Sequence, residues 1–210
     1  MALAAEIVSE RWTLLVLREL AFGSSRFNDI HRGVPRISPV LLTRRLRTLE
    51  QAGVVQRDDA GGYRLTAAGD AIVPTLDSLA VWGKRWLPAN LSDMGGDPDL
   101  VMWDLHRRLH LDRLPSVRTT MLFEFSDQPS RKRSRWIVCS QLGADFCTVD
   151  PGSQVDLWIA TDSRTLTAVW YGHLDLENSI EQGLIAVDGA PDLARRFPTW
   201  LRLSRIAHVD

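Results

Sequence analysis

Between positions 26 and 57 the chain carries seven arginines against only two acids, Asp29 and Glu50, a local balance of +5. The whole chain is near neutral at −1, with twelve Arg and Lys against nine Asp and Glu over residues 1–90 and thirteen against seventeen over the rest. A compact basic stretch on a near-neutral protein suits a polyanion met by one surface; a solvated charged face is the bland alternative. Helical geometry sharpens the choice. At 100° per residue over 38–52, Leu42, Leu46 and Leu49 fall on one stripe, while Val40, Thr43, Arg44 and Arg47 gather on the opposite side. Arginine can bond two acceptors of guanine in the DNA major groove, and Thr or Val can meet a thymine methyl. The helix start itself, Ser38 and Pro39, belongs to the same candidate surface. Arg26, Asn28, Arg36, Arg57 and Arg64 flank it as candidate phosphate contacts.

Other chemistry is thin. His106 and His110 stand four apart on an expected helix, a spacing that can hold a metal, but no Glu lies between them and no third ligand is evident. The expectation is no metal and no cofactor. Cys139 and Cys147 lack CxxC spacing and are expected to pack in a sheet as reduced thiols. No phosphate-binding glycine loop or Gly-x-Ser-x-Gly elbow occurs, so no catalytic residue is assigned and an enzyme is not expected. The run Arg131–Arg135 is expected in a strand-to-strand loop, either solvated or touching DNA.

These residues need elements to hold them. Apolar spacing predicts a helix over 2–21, then a short one over 25–32 with Phe27 and Ile30 inward. The basic helix starts on Ser38 as N-cap and Pro39 at the first position, and stops at Gly53. Strands at 54–57 and 63–66 enclose a hairpin loop at 58–62, and a long helix over 67–86 carries Ile72, Leu76, Leu79, Trp82 and Trp86. Asp58 and Asp59 at the hairpin tip oppose its insertion into a minor groove. This order is the winged helix-turn-helix plan, mainly α with a β-hairpin wing, over residues 1–88.

Residues 1–88 also resemble the HxlR-type transcriptional regulators. The resemblance rests on Arg11–Leu20, Gly23, Arg26–Ile30, Ile37–Pro39, Leu42–Glu50, Ala52–Val55, Arg57, Tyr63–Gly69 and Leu79–Gly83. It implies a homodimer, joined through the N-terminal and post-wing helices, on a near-palindromic double-stranded operator. Members often carry a sensing cysteine shortly before the Trp-Thr motif. This chain has none before position 139, which excludes thiol sensing there. The wing loop is also shorter than usual, which puts groove contact from the wing in doubt.

Residues 88–98, with two prolines, two glycines and two aspartates, read as a linker. Beyond it, 97–210 reads as an α+β domain with a mostly antiparallel sheet. Its expected elements are a helix at 99–113, a strand at 117–125 with Val117, Thr119, Met121, Phe123 and Phe125 on one face, and strands at 135–141, 145–149 and 155–160. Helices at 163–171 and 176–182 follow, capped by Asp162 and Asp175, then a strand at 184–187 and a helix from Pro191. Val155–Ile159, Gly172, Ile180 and Gly183–Gly189 resemble the sterol carrier protein type-two fold, which implies an apolar cavity between sheet and helices. Trp103, Met121, Phe123, Trp136, Trp158 and Trp170 are its candidate lining, with plain core the alternative for each. Trp158 points away from Val155, Leu157 and Ile159, toward a second apolar surface or a domain interface.

The combined expectation is a cytoplasmic DNA-binding regulator controlled by a small apolar ligand. The rival is a carrier of a hydrophobic metabolite that uses its winged helix for dimerisation. The sequence has no apolar run of membrane-spanning length and no signal-peptide pattern at its start.

Overall fold

The computed structural model describes residues 2–87 and 97–207. The chain divides into two compact units, Met1–Trp86 and Leu87–Asp210. Most of the expected linker lies outside the described residues; its last two, Asp97 and Pro98, open a helix instead.

In the first unit the helix expected over 2–21 is two helices, α1 (Ala2–Val8) and α2 (Thr13–Ala21). The break is at Trp12, whose φ of 77° lies in the left-handed region disfavoured for a bulky side chain. The Arg11 guanidinium stacks over the Trp12 ring at 4.5 Å, and the half-buried ring packs against the core. No glycine or proline marks the spot, so helical periodicity runs straight through it. Helices α3 (Phe27–Gly33) and α4 (Pro39–Gln51) follow, then strands β1 (Val55–Arg57) and β2 (Tyr63–Leu65), and α5 (Ala67–Trp86).

Helix α4 begins as its sequence dictates: the Ser38 hydroxyl accepts from the Leu41 N–H at 3.3 Å, and Pro39 takes the first position. Gly53 adopts a φ of 69° just past the end, a conformation that suits glycine. Leu42, Leu46 and Leu49 are fully buried among Val16, Leu17, Leu20, Ile30, Val34, Ile37, Val55 and Tyr63. Ile72 and Leu76 bring α5 onto this core. Further along, Leu79, Trp82 and Trp86 are exposed, and α1, with no fully buried residue, touches the core through the half-buried Ile7.

The second unit is a five-stranded sheet in the order β5-β4-β3-β6-β7. Its strands are β3 (Thr119–Phe125), β4 (Ser134–Ser140), β5 (Gly143–Cys147), β6 (Leu157–Thr161) and β7 (Ala186–Gly189). Three pairings are antiparallel and one, β3 with β6, is parallel. The helices are α6 (Pro98–His106), α7 (Ser130–Arg133), α8 (Ser163–Trp170), α9 (Leu176–Glu181) and α10 (Pro191–Trp200). Asp162 and Asp175 cap α8 and α9 through backbone N–H bonds at 2.8–3.0 Å.

Period-two alternation places Met121, Phe123, Ile137, Leu157 and Ile159 on one sheet face. They share a single core with Val101, Met102 and Leu105 of α6, Leu166, Val169 and Trp170 of α8, and Phe197 and Trp200 of α10. Two expectations need correction here. Val117 is 69% exposed, because β3 starts at Thr119. The helix expected over 99–113 ends at His106: Leu109 forms a β-bridge with Leu201, and the His110 N–H bonds to the Trp200 carbonyl at 2.9 Å. That long-range pairing captures backbone groups which a continuing helix would have used.

Candidate nucleic-acid interface

Helix α4 presents Val40, Thr43, Arg44 and Arg47 to solvent on the side opposite its leucine stripe; Val40 is 82% exposed. An exposed Val in that position is not core material, and with three polar neighbours at three- and four-residue spacing it forms a mixed apolar and cationic stripe. The Thr43 hydroxyl donates back to the Pro39 carbonyl at 2.9 Å. Ser38 and Pro39 stand exposed at the helix start.

The flanking residues divide. Arg26, at the N-cap of α3, and Asn28 in its first turn are exposed, as is Arg36 in the turn before α4. On the wing, the register pairs Arg57 with Tyr63 and Arg64 with Gln56. Neighbouring positions on a strand face opposite ways, so the two arginines lie on opposite faces of the hairpin. Arg57 is also engaged within the unit. Its Nε donates to Glu50 at 3.2 Å, its Nη2 donates to the Tyr63 hydroxyl at 2.6 Å, and its guanidinium lies 4.5 Å from the Tyr63 ring centre. Arg64 is exposed on the other face. At the tip, the Asp58 carboxylate accepts from the Ala60 and Gly62 N–H groups at 3.0 and 2.7 Å, so this acid closes the loop.

Reading by charge alone missed two residues. Arg45, counted in the basic cluster, is 7% exposed and turned inward: its Nε donates to the Arg11 carbonyl at 3.1 Å, and its guanidinium pairs with Glu10. Glu19 of α2 is fully buried, accepting from Arg18 Nη2 at 2.9 Å and from the Ser24 hydroxyl at 3.2 Å. Arg45 sits about 60° from the centre of the α4 leucine stripe, and that angle was the available signal; Glu19 lies well outside the Val16, Leu17 and Leu20 stripe of α2 and carried none.

In the second unit the six candidate lining residues do not share a surface. Met121, Phe123 and Trp170 are buried in the core beneath the helices, and Trp103 is buried on α6 beside the His106 ring, 4.7 Å away. Trp136 and Trp158 lie on the opposite sheet face, on either side of Leu122, with Trp158 40% exposed. The end of α6 at His106 removes the one-helix spacing of His106 and His110, and the described residues contain no group of three His, Cys, Asp or Glu able to hold a metal. Burial, reinforced by the Arg107 charge, lowers His106 to about 4. Cys139 is buried in β4, and burial with the nearby Asp156 carboxylate pushes its thiol up to about 12. The run Arg131–Arg135 is not a free loop. It forms α7 and the start of β4, where Lys132 pairs with Asp97 at 2.9 Å and Arg135 pairs with Asp99 at the head of α6. No described helix is long and apolar enough to cross a membrane.

Comparison with known proteins agrees with the geometry of the first unit. A family model described as HxlR-like helix-turn-helix matches residues 7–91. The chain is 35% identical over 96 residues to YvaP, an uncharacterized HTH-type transcriptional regulator of Bacillus subtilis, covering 89% of that protein and 43% of this one. Among solved structures, quinone-bound YodB from B. subtilis is 31% identical over 41% of this chain and 96% of that one, with a TM-score of 0.38. The sec-alkylsulfatase Pisa1 from Pseudomonas sp. is 22% identical over 52% of this chain and 17% of that one, with a TM-score of 0.40. The identity to YvaP over nearly its whole length, together with the family match across the unit that bears the arginine stripe, shows that the chain belongs to the HxlR-like helix-turn-helix family.

Proposed function

We propose that this protein is a sequence-specific DNA-binding transcriptional regulator, with α4 as its recognition helix. The observation that carries this reading is the division of α4: three leucines fully buried on one side, and Val40, Thr43, Arg44 and Arg47 exposed on the other. A helix held so from behind can lay its outer stripe in the major groove. Arg26, Asn28, Arg36 and Arg64 are the backbone contacts this reading favours, and Arg57 contributes through the wing's internal order. The test is binding of the purified protein to the DNA upstream of its own coding sequence and to a scrambled duplex, at two salt concentrations. Preference for the upstream fragment that survives added salt supports the reading. Equal, weak and steeply salt-dependent binding to both reflects phosphate attraction alone and counts against it.

The working form is proposed to be a homodimer. Support comes from α1, which has no fully buried residue and leaves Leu3 80% exposed, and from Leu79, Trp82 and Trp86 exposed along α5. Apolar side chains left exposed on two helices suit protein contact. Sedimentation equilibrium checks this, and Trp82→Glu is expected to shift the mass toward that of a monomer.

The second domain is proposed to hold a small apolar molecule that biases the dimer between two geometries. The row Trp136, Leu122 and Trp158 supports an aromatic contact surface, on the sheet face away from the helices. Tryptophan fluorescence titrated with apolar metabolites tests it; no saturable change across a broad panel argues against a ligand.

A further inference from the structure

Three arginines stand at 44, 45 and 47 of the proposed recognition helix, and their side chains do different things. Arg44 and Arg47 are exposed, whereas Arg45 is directed back across the unit to residues 34 and 35 positions earlier in the chain. Its two partners lie in the short corner between α1 and α2. One is the Arg11 carbonyl, next to Trp12 with its φ of 77°; the other is the half-exposed Glu10 carboxylate.

This matters because of what apolar packing can and cannot specify. The leucine stripe turns one face of α4 to the core, but burial is non-directional and tolerates small rotations about the helix axis. A guanidinium with a carbonyl on one edge and a carboxylate on another is directional, and such charge-assisted bonds are the stronger class. Arg45 lies at the boundary between the leucine stripe and the exposed stripe. A bond there sets the angle at which Thr43, Arg44 and Arg47 face outward.

We propose that Arg45 is a positioning residue for DNA recognition: paired with Glu10 and the Arg11 carbonyl, it fixes the rotation of α4 and does not touch DNA itself. The inference rests on the reading of α4 as the recognition helix. It assigns neighbouring arginines opposite roles, Arg44 and Arg47 at the duplex and Arg45 behind it.

The experiment uses the full chain and a duplex selected by the parent protein from a random-sequence pool, with a scrambled duplex beside it. Affinities are measured over a salt series for the parent, Arg45→Gln, Arg45→Lys, Glu10→Gln and the double variant E10Q/R45Q, at a temperature where melting shows each to be folded. Arg45→Gln is expected to weaken binding to the selected duplex about tenfold and to leave the scrambled duplex within about twofold. Its salt slope is expected to match the parent's, since no phosphate contact is lost. Glu10→Gln shifts binding in the same direction, and the double variant is no weaker than Arg45→Gln alone. Arg45→Lys keeps the charge and loses the fork, so it falls short of full rescue. Equal loss on both duplexes with a slope reduced by about 0.9 makes Arg45 a phosphate contact and overturns the proposal. Parent-like binding by Arg45→Gln overturns it too. If Arg45→Gln does not fold, Glu10→Gln decides, because it alters only the half-exposed member of the pair: parent-like binding by that variant overturns the proposal. Failure of the parent to enrich any duplex overturns the recognition-helix reading, and this inference falls with it.

Discussion

Gly33→Ala is a small change with a large expected effect. Gly33 ends α3 just before the turn into α4, and it is buried against Glu19 of α2. A Cβ placed there would stand 2.6 Å from Glu19 Oε1 and closer still to Cδ and Oε2, well inside the ordinary contact range of 3.4–4 Å. The carboxylate would have to retreat by about an ångström. It is fully buried and already committed to Arg18 Nη2 and the Ser24 hydroxyl, and Arg18 Nη2 also reaches the Gly33 carbonyl at 3.3 Å. Breaking a fully buried pair outright costs about 3–5 kcal/mol, and this one, with Arg18 30% exposed, less. Partial displacement takes a share of that, and the helix preference of Ala over Gly returns up to about 1 kcal/mol. The expected net loss is about 1–2 kcal/mol, a large fraction of the roughly 5–15 kcal/mol that holds a typical domain folded. Denaturant unfolding of Gly33→Ala, Glu19→Ala and the double variant measures it. The glycine substitution is expected to cost at least about 1 kcal/mol less once Glu19 is truncated, because the obstructing group is gone. A Gly33→Ala protein within about 0.5 kcal/mol of the parent, or strict additivity in the double variant, refutes the reasoning.

Arg44→Ala and Arg47→Ala are each expected to weaken specific DNA binding by about 1–3 kcal/mol and to relax preference at one base position, with melting unchanged because both side chains are exposed; parent-like affinity in both variants places the recognition face elsewhere. Ser38→Ala removes a cap whose bond is long at 3.3 Å, so a stability loss of about 0.5–1 kcal/mol is expected in denaturant unfolding. His106 takes up its proton near 6.5 in the unfolded chain but resists until about 4 when folded. Stability is therefore expected to fall as pH drops through that window, by about 2 kcal/mol between pH 7 and 5, and His106→Gln should flatten the profile. An unaltered profile in that variant assigns the pH dependence to other groups.

Much of the first unit was legible because its signals are local. A capping serine, a proline at the first helical position, a glycine after the last turn and a three-and-four leucine spacing each act within a few residues, and α4 formed between Pro39 and Gln51 accordingly. The alternation in β3 and the capping aspartates of α8 and α9 were readable for the same reason. Charge type and spacing on α4 also named the stripe that the fold exposes.

What the sequence could not decide is which of several similar residues meets which distant partner. Helical spacing separated Arg45 from Arg44 and Arg47, but not what it would meet: Glu10 and the Arg11 carbonyl stand where its guanidinium arrives. The left-handed turn at Trp12 and the stop of α6 at His106 have no local breaker; the first accompanies the packing of the indole, the second the β-bridge of Leu109 to Leu201. Alternation had already turned Trp158 away from Leu157 and Ile159, but only the register of the strands put Trp136 beside it, across Leu122, and sent Met121 and Phe123 to the other face. Local propensity decides which segments are helix or strand, while long-range hydrogen bonds, ion pairs and strand register decide which side chains are left facing outward to act.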